Sequence, residues 1–74
     1  MIIGIPKEIK PDESRVALIP VGVEKMVKHG HTVIIEKGAG LGSGISDQEY
    51  KEAGAKVVNS SKEIYDKAQF IMKV

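Results

Sequence analysis

The sequence has no cysteine and no tryptophan. Without thiols there is neither a disulfide framework nor a thiolate metal site. Aromatic residues are limited to Tyr50, Tyr65 and Phe70, so a core has to be assembled from Val, Ile, Leu, Met and Ala. No stretch approaches the roughly 18 apolar residues that a membrane span requires. Met1 leads into an apolar strand pattern, with no basic region followed by a long apolar segment. The net charge is only +1, and the lysines are scattered, which speaks against a nucleic-acid footprint. A soluble, cytoplasmic protein acting on a small molecule is the expectation, with neither membrane nor nucleic acid as partner. Histidine is scarce as well. His29 and His31 have no cysteine nearby and no second histidine at a metal-binding helical spacing; both read as surface residues, and no metal site is expected. With 74 residues, the chain makes one small domain of marginal independent stability. It contains no internal repeat and no low-complexity linker.

What is present reads as alternating strands and helices. Residues 1–5 are apolar apart from Gly4, as expected for a strand covered on both faces, and Pro6 ends the run. Pro20 suits the first position of a helix, where its missing N–H has no partner in any case. Val23, Met26 and Val27 fall at i, i+3 and i+4 and form a candidate buried stripe, with Gly30 closing the helix. Ile19 would be the N-cap, and it cannot accept a hydrogen bond there. Residues 32–36 form a second strand rich in β-branched side chains, followed by the glycine-rich run KGAGLGSGI. Ser46-Asp47-Gln48-Glu49 fits a capping box at the head of a short helix ending near Gly54, with Tyr50 and Ala53 inward. Residues 55–58 read as a third strand. Ser60-x-x-Glu63 is a second capping box, opening a helix with Ile64 and Ala68 inward and Tyr65 flanking them. Residues 69–74 complete the pattern as a fourth strand. The fold class is α/β: an open parallel sheet of about four strands with helices on both faces, half-Rossmann or flavodoxin-like, with right-handed crossovers. Order 3-2-1-4 is preferred, because the first strand is the most uniformly apolar and the short third belongs at an edge. Order 2-1-3-4 is the alternative.

The connection between Pro6 and Pro20 is the feature most open to a functional reading. It runs over about 13 residues, whereas such connections in α/β units usually take about 2–6. It carries Lys7, Glu8, Lys10, Asp12, Glu13 and Arg15, and Arg15 is the single arginine of the chain. A guanidinium can grip a carboxylate with two parallel hydrogen bonds, which lysine cannot do. Arg15 is thus either a clamp for a small acid or a surface cation paired with Glu8, Asp12 or Glu13. With order 3-2-1-4 a crevice opens between the first and fourth strands. Lys73 lies at the same end, where it also reads as an ordinary strand-end lysine. Gly38, Gly40, Gly42 and Gly44 give G-x-G-x-G-x-G, not G-x-G-x-x-G. Phosphate cradling by this run is physically open, and a turn needing positive φ is the plainer account. The acidic pairs Asp47/Glu49 and Glu63/Asp66 lie in helices, and Asp47, Glu49 and Glu63 fit capping and dipole effects.

The run GIPKEIKPDESRVALIP resembles the N-terminal signature shared by alanine dehydrogenase and the α subunit of proton-translocating transhydrogenase. Gly4, Ile5, Pro6, Glu8, Glu13, Arg15, Val16, Ala17, Pro20, Gly22, Val23 and Gly30 match it, with Asp12, Ile19 and Met26 departing. The likeness continues through Gly30-His31, Gly38-Ala39-Gly40, Gly42-Ser43, Ser46-Asp47, Gly54-Ala55-Lys56 and Lys73-Val74, and so covers the chain. The resemblance implies that residues 1–74 are the N-terminal part of the substrate (catalytic) domain of an NAD-dependent L-alanine dehydrogenase, hexameric in that family. It implies that Arg15 binds the substrate carboxylate (L-alanine or pyruvate), with Glu8 and Glu13 as supporting residues. A second substrate lysine of the family would follow Val74. The catalytic histidine and acid and the nucleotide-binding domain that holds NAD lie beyond this sequence, so it is expected to be inactive alone, with no catalytic and no cofactor-binding residue of its own. The alternatives are a transhydrogenase α subunit and a non-catalytic anion-binding module.

Overall fold

A computed structural model of the chain describes residues 1–8 and 16–73. The elements follow as β1 (Ile2–Ile5), α1 (Pro20–Lys28), β2 (Thr32–Glu36), α2 (Asp47–Glu52), β3 (Lys56–Val58), α3 (Ser61–Lys67) and β4 (Phe70–Ile71), with a 3₁₀ turn at Leu41–Ser43. The four strands form one parallel sheet in the order β3-β2-β1-β4. This is the preferred order, and 2-1-3-4 is excluded.

Side chains alternate across a strand, so Ile5, Val33 and Ile35 face one side of the sheet and Gly4 and Ile34 face the other. Helices α1 and α2 cover the first side, where Val23, Tyr50 and Ala53 join Ile5, Val33, Ile35, Ala39 and Ala55 in the core. Helix α3 covers the second side with Ile64, which is fully buried. A Cβ on Gly4 would lie 2.6 Å from Ala68 Cβ and 2.7 Å from Ile64 Cγ2. Glycine at this strand position is what lets the α3 segment approach so closely.

Local chemistry accounts for the helix ends. Ser46 and Ser60 each accept the backbone N–H of the residue three places on, Glu49 at 3.2 Å and Glu63 at 3.3 Å. Ile19 provides no such bond, and α1 relies on Pro20 at its first turn. Gly30 (φ 90°) and Gly54 (φ 108°) end α1 and α2 in the left-handed region.

Two details differ from the sequence expectation. Val27 is 38% exposed, so the α1 stripe consists of the fully buried Val23 and the half-buried Met26, which packs against the core. The Val27 methyls lie beside Gly54, at 3.2 and 3.4 Å from where a Cβ on that glycine would stand. The fourth strand is also shorter than residues 69–74. Gln69 already uses its side chain in the ladder, Oε1 accepting Ile2 N–H at 2.8 Å. At the other end Met72 N–H reaches Gly4 O at 2.9 Å, and Pro6 has no N–H to carry the pairing further.

Candidate functional site

Ligands of open parallel sheets bind past the carboxyl ends of the strands, where the order reverses. The reversal here falls at β1, which has β2 and β3 on one side and β4 on the other. At this rim β1 delivers Pro6, Lys7 and Glu8, and β4 delivers Met72 and Lys73. Gly4 pairs with Ile71, and continuing that register sets Lys73 level with Pro6. Glu8 is half-buried and Lys73 is exposed. Arg15 and Glu13 lie outside the described residues.

Both ends of the connection that carries Arg15 are held by side chains from other elements. At the β1 end, Lys7 N–H donates to the Glu36 carboxylate at 2.8 Å. The Lys7 ammonium comes within 3.7 Å of where a Gly38 Cβ would stand, so it leans toward the β2 turn and away from β4. At the α1 end, Val16, Ala17 and Leu18 pack against the core. There the Tyr50 hydroxyl donates to the Leu18 carbonyl at 2.8 Å. Leu18 also lies along the first turn of α1, where a Cβ on Gly22 would stand 2.5 Å from its Cδ1. Burial pushes the Tyr50 phenol above its usual value of about 10, and the nearby Glu49 carboxylate acts in the same direction.

The glycine run is a built turn. Gly38 (φ 81°) and Gly44 (φ 77°) use the left-handed region. Gly40 meets a different demand: a Cβ there would fall 2.6 Å from Tyr50 Cε2. Gly38 N–H donates to Asp47 Oδ1 at 2.9 Å and Ala39 N–H to the Glu36 carbonyl at the end of β2, while the N–H groups of Leu41, Ser43, Gly44 and Ile45 reach carbonyls within the turn. Donors already engaged in this way, one of them on a carboxylate, do not form a phosphate cradle. His29 and His31 lie at the opposite end of the sheet, where His31 N–H bonds to Met26 O just before β2. His29 is on the surface with Nδ1 2.9 Å from Lys25 O. His31 departs from a plain surface role, since its Nδ1 is buried without a hydrogen-bond partner. Among the described residues no three metal-ligating side chains converge, and no helix is long and apolar enough to cross a membrane.

Sequence reasoning missed Glu36, Asp47 and Tyr50 as organisers of the rim. Only Tyr50 left a signal, because a buried tyrosine needs a partner for its hydroxyl. That partner is 32 positions away in sequence.

The profile described as "Alanine dehydrogenase/PNT, N-terminal domain" matches residues 4–74. The chain belongs to this family. It is 58% identical over 74 residues to an alanine dehydrogenase of Methanococcus maripaludis and 51% identical to one of Bacillus subtilis. Each match takes in the whole of this chain but only 20% and 19% of those relatives. Among solved structures, an L-alanine dehydrogenase superposes with a TM-score of 0.95 at 49% identity. A transhydrogenase from Sinorhizobium meliloti gives 0.90 at 44% identity. Both structural matches cover 99% of the chain and 20% of the matched protein. In this member of the family the order reversal of the sheet falls at β1, and the feet of the long connection are fastened by β2 and α2.

Proposed function

We propose that these residues form the N-terminal part of the substrate domain of an NAD-dependent L-alanine dehydrogenase, interconverting L-alanine with pyruvate and ammonia. The observation that carries this reading is the long connection with the chain's lone arginine, rooted at the order reversal of the sheet. In a full-length protein Arg15 grips the substrate carboxylate with its planar fork. A well-placed clamp of that kind contributes about several kcal/mol through positioning. Glu8 and Glu13 support it. The engaged amides of the glycine turn do not fit a dinucleotide, so NAD is assigned to a nucleotide-binding domain outside these residues, and no catalytic group is assigned within them. The protein is read as cytoplasmic and homo-oligomeric, a hexamer by family resemblance.

A chimera in which this chain replaces the matching opening segment of the Bacillus subtilis enzyme provides a complete protein to assay. Arg15→Lys keeps the charge and loses the fork. It is expected to lower kcat/KM for pyruvate by about a hundredfold with little change in KM for NADH. An unaltered pyruvate KM in Arg15→Ala would overturn the assignment. The 74-residue chain alone should produce no NADH from alanine. The likeness to the Sinorhizobium meliloti transhydrogenase supports a second reading as part of a transhydrogenase α subunit. A lysine as the residue after Val74 would favour the dehydrogenase.

A further inference from the structure

We propose that residues 16–18 and the first turn of α1 open and close as one unit, a strap seated through Leu18 and latched by the Tyr50 hydroxyl, in place of the side-chain N-cap used by α2 and α3. The inference concerns residues 16–23, Gly40 and Tyr50 alone and is independent of the role given to Arg15. Ile19 stands at the N-cap of α1 in an extended conformation (φ −88°, ψ 165°) and makes no side-chain bond. Ser46 and Ser60 each hold a backbone N–H three positions on. A capping box in α1 would also need Glu or Gln at the third helical position, and Gly22 occupies it.

That glycine serves the strap instead. A Cβ on it would stand 2.5 Å from Leu18 Cδ1, so the missing side chain is what lets Leu18 fold over the first turn. Leu18 directly precedes the N-cap, the place from which an apolar side chain packs back on the fourth helical residue and fixes the entry angle of the chain. The fourth residue here is Val23, fully buried. Val16 and Ala17 extend the strap onto the same core. Apolar packing is non-directional, so fixing the main chain takes a directed bond, and Tyr50 supplies it by donating to the Leu18 carbonyl at 2.8 Å. Tyr50 is a rigid donor. It is fully buried, its ring is seated against Gly40, where a Cβ would fall 2.6 Å from Cε2, and its helix is tied to the glycine turn through Asp47 and Gly38. Lifting the strap leaves that hydroxyl unpaired and uncovers the start of α1, which couples the two events. Helix α2 thereby decides whether the lead-in to α1 is seated.

The test is hydrogen–deuterium exchange on the same chimera, read by mass spectrometry in overlapping peptides across residues 16–23, with β2 and α3 as internal references. Tyr50→Phe removes only the hydroxyl and should speed exchange at 16–19 and at 21–23 alike, by about tenfold for one hydrogen bond, leaving the references unchanged. Ile19→Ser supplies the absent cap, and in the Tyr50→Phe background it should slow both stretches together. Gly22→Ala separates the strap from simple helix propensity. Alanine favours the helix, so a start governed by propensity exchanges more slowly in this variant, whereas a start governed by the strap exchanges faster because Leu18 is displaced. Slower exchange in Gly22→Ala overturns the proposal. So does a Tyr50→Phe protein with unchanged exchange at 16–23, or one in which β2 and α3 quicken by the same factor, as a merely structural role requires. Recovery of 21–23 without 16–19 on adding Ile19→Ser shows two independent segments and overturns the single unit.

Discussion

Beneath α1 and α2 the sheet buries Ile5, Val33 and Ile35 with Val23, Tyr50 and Ala53, whereas α3 closes the opposite face with a single fully buried side chain, Ile64. The first face includes a polar tether, since its largest member sends a hydroxyl to the Leu18 carbonyl. The second works by backbone approach, Gly4 leaving no room for even a methyl under Ala68. Tyr65 on α3 is 52% exposed. The face that is thick and cross-tied is the one joined to the long connection. The other is a close-fitting cover.

The sharpest way to break this comparison is Ile64→Ala. It empties the only fully buried position of α3 and should cost about 2–5 kcal/mol in urea denaturation. A loss below about 1 kcal/mol would mean that the α3 face does not depend on that contact. Gly4→Ala should follow, at about 1–3 kcal/mol from overpacking. A neutral result would show that α3 can retreat from the sheet without loss. Ser60→Ala and Ser46→Ala each remove one N-cap and should cost about 1 kcal/mol, with the far-ultraviolet helical signal melting earlier. These two probe whether the faces differ in packing alone or also in the footing of their helices.

The smallest effect concerns alkaline pH. The folded state holds the Tyr50 proton more tightly than the unfolded chain does, so this contribution is fully present below about pH 10. It is lost as pH rises through the higher folded value. Tyr50→Phe should therefore flatten the alkaline limb of a stability-against-pH curve, and an unchanged limb would show that the phenol is not set by burial.

Much of the fold was legible because the local rules agreed with one another. The proline at the head of α1, the two serine caps and the glycines at 30 and 54 all took the places that elementary capping and φ preferences demand. Alternation of apolar runs with helical patterns was enough to make the sheet parallel, and the uniformly apolar first strand placed it centrally. The α1 stripe was overestimated at Val27, because periodicity reports which side chains share a face and not whether a neighbour covers them. The site was legible only in part. A lone arginine on an overlong connection could be picked out from residue type and spacing, but Arg15 falls outside the described residues. The side chains that fasten the connection's ends gave almost no local sign.

The order of residues by itself determined the elements, their boundaries to within a few positions and the parallel class of the sheet, since these follow from interactions between near neighbours in the chain. Only the tertiary structure decided that Glu36 meets Lys7, that Asp47 meets Gly38 and that Tyr50 meets Leu18. Each of these bonds joins groups from different elements, and their geometry exists only once the strands are in register and the helices are seated on the sheet.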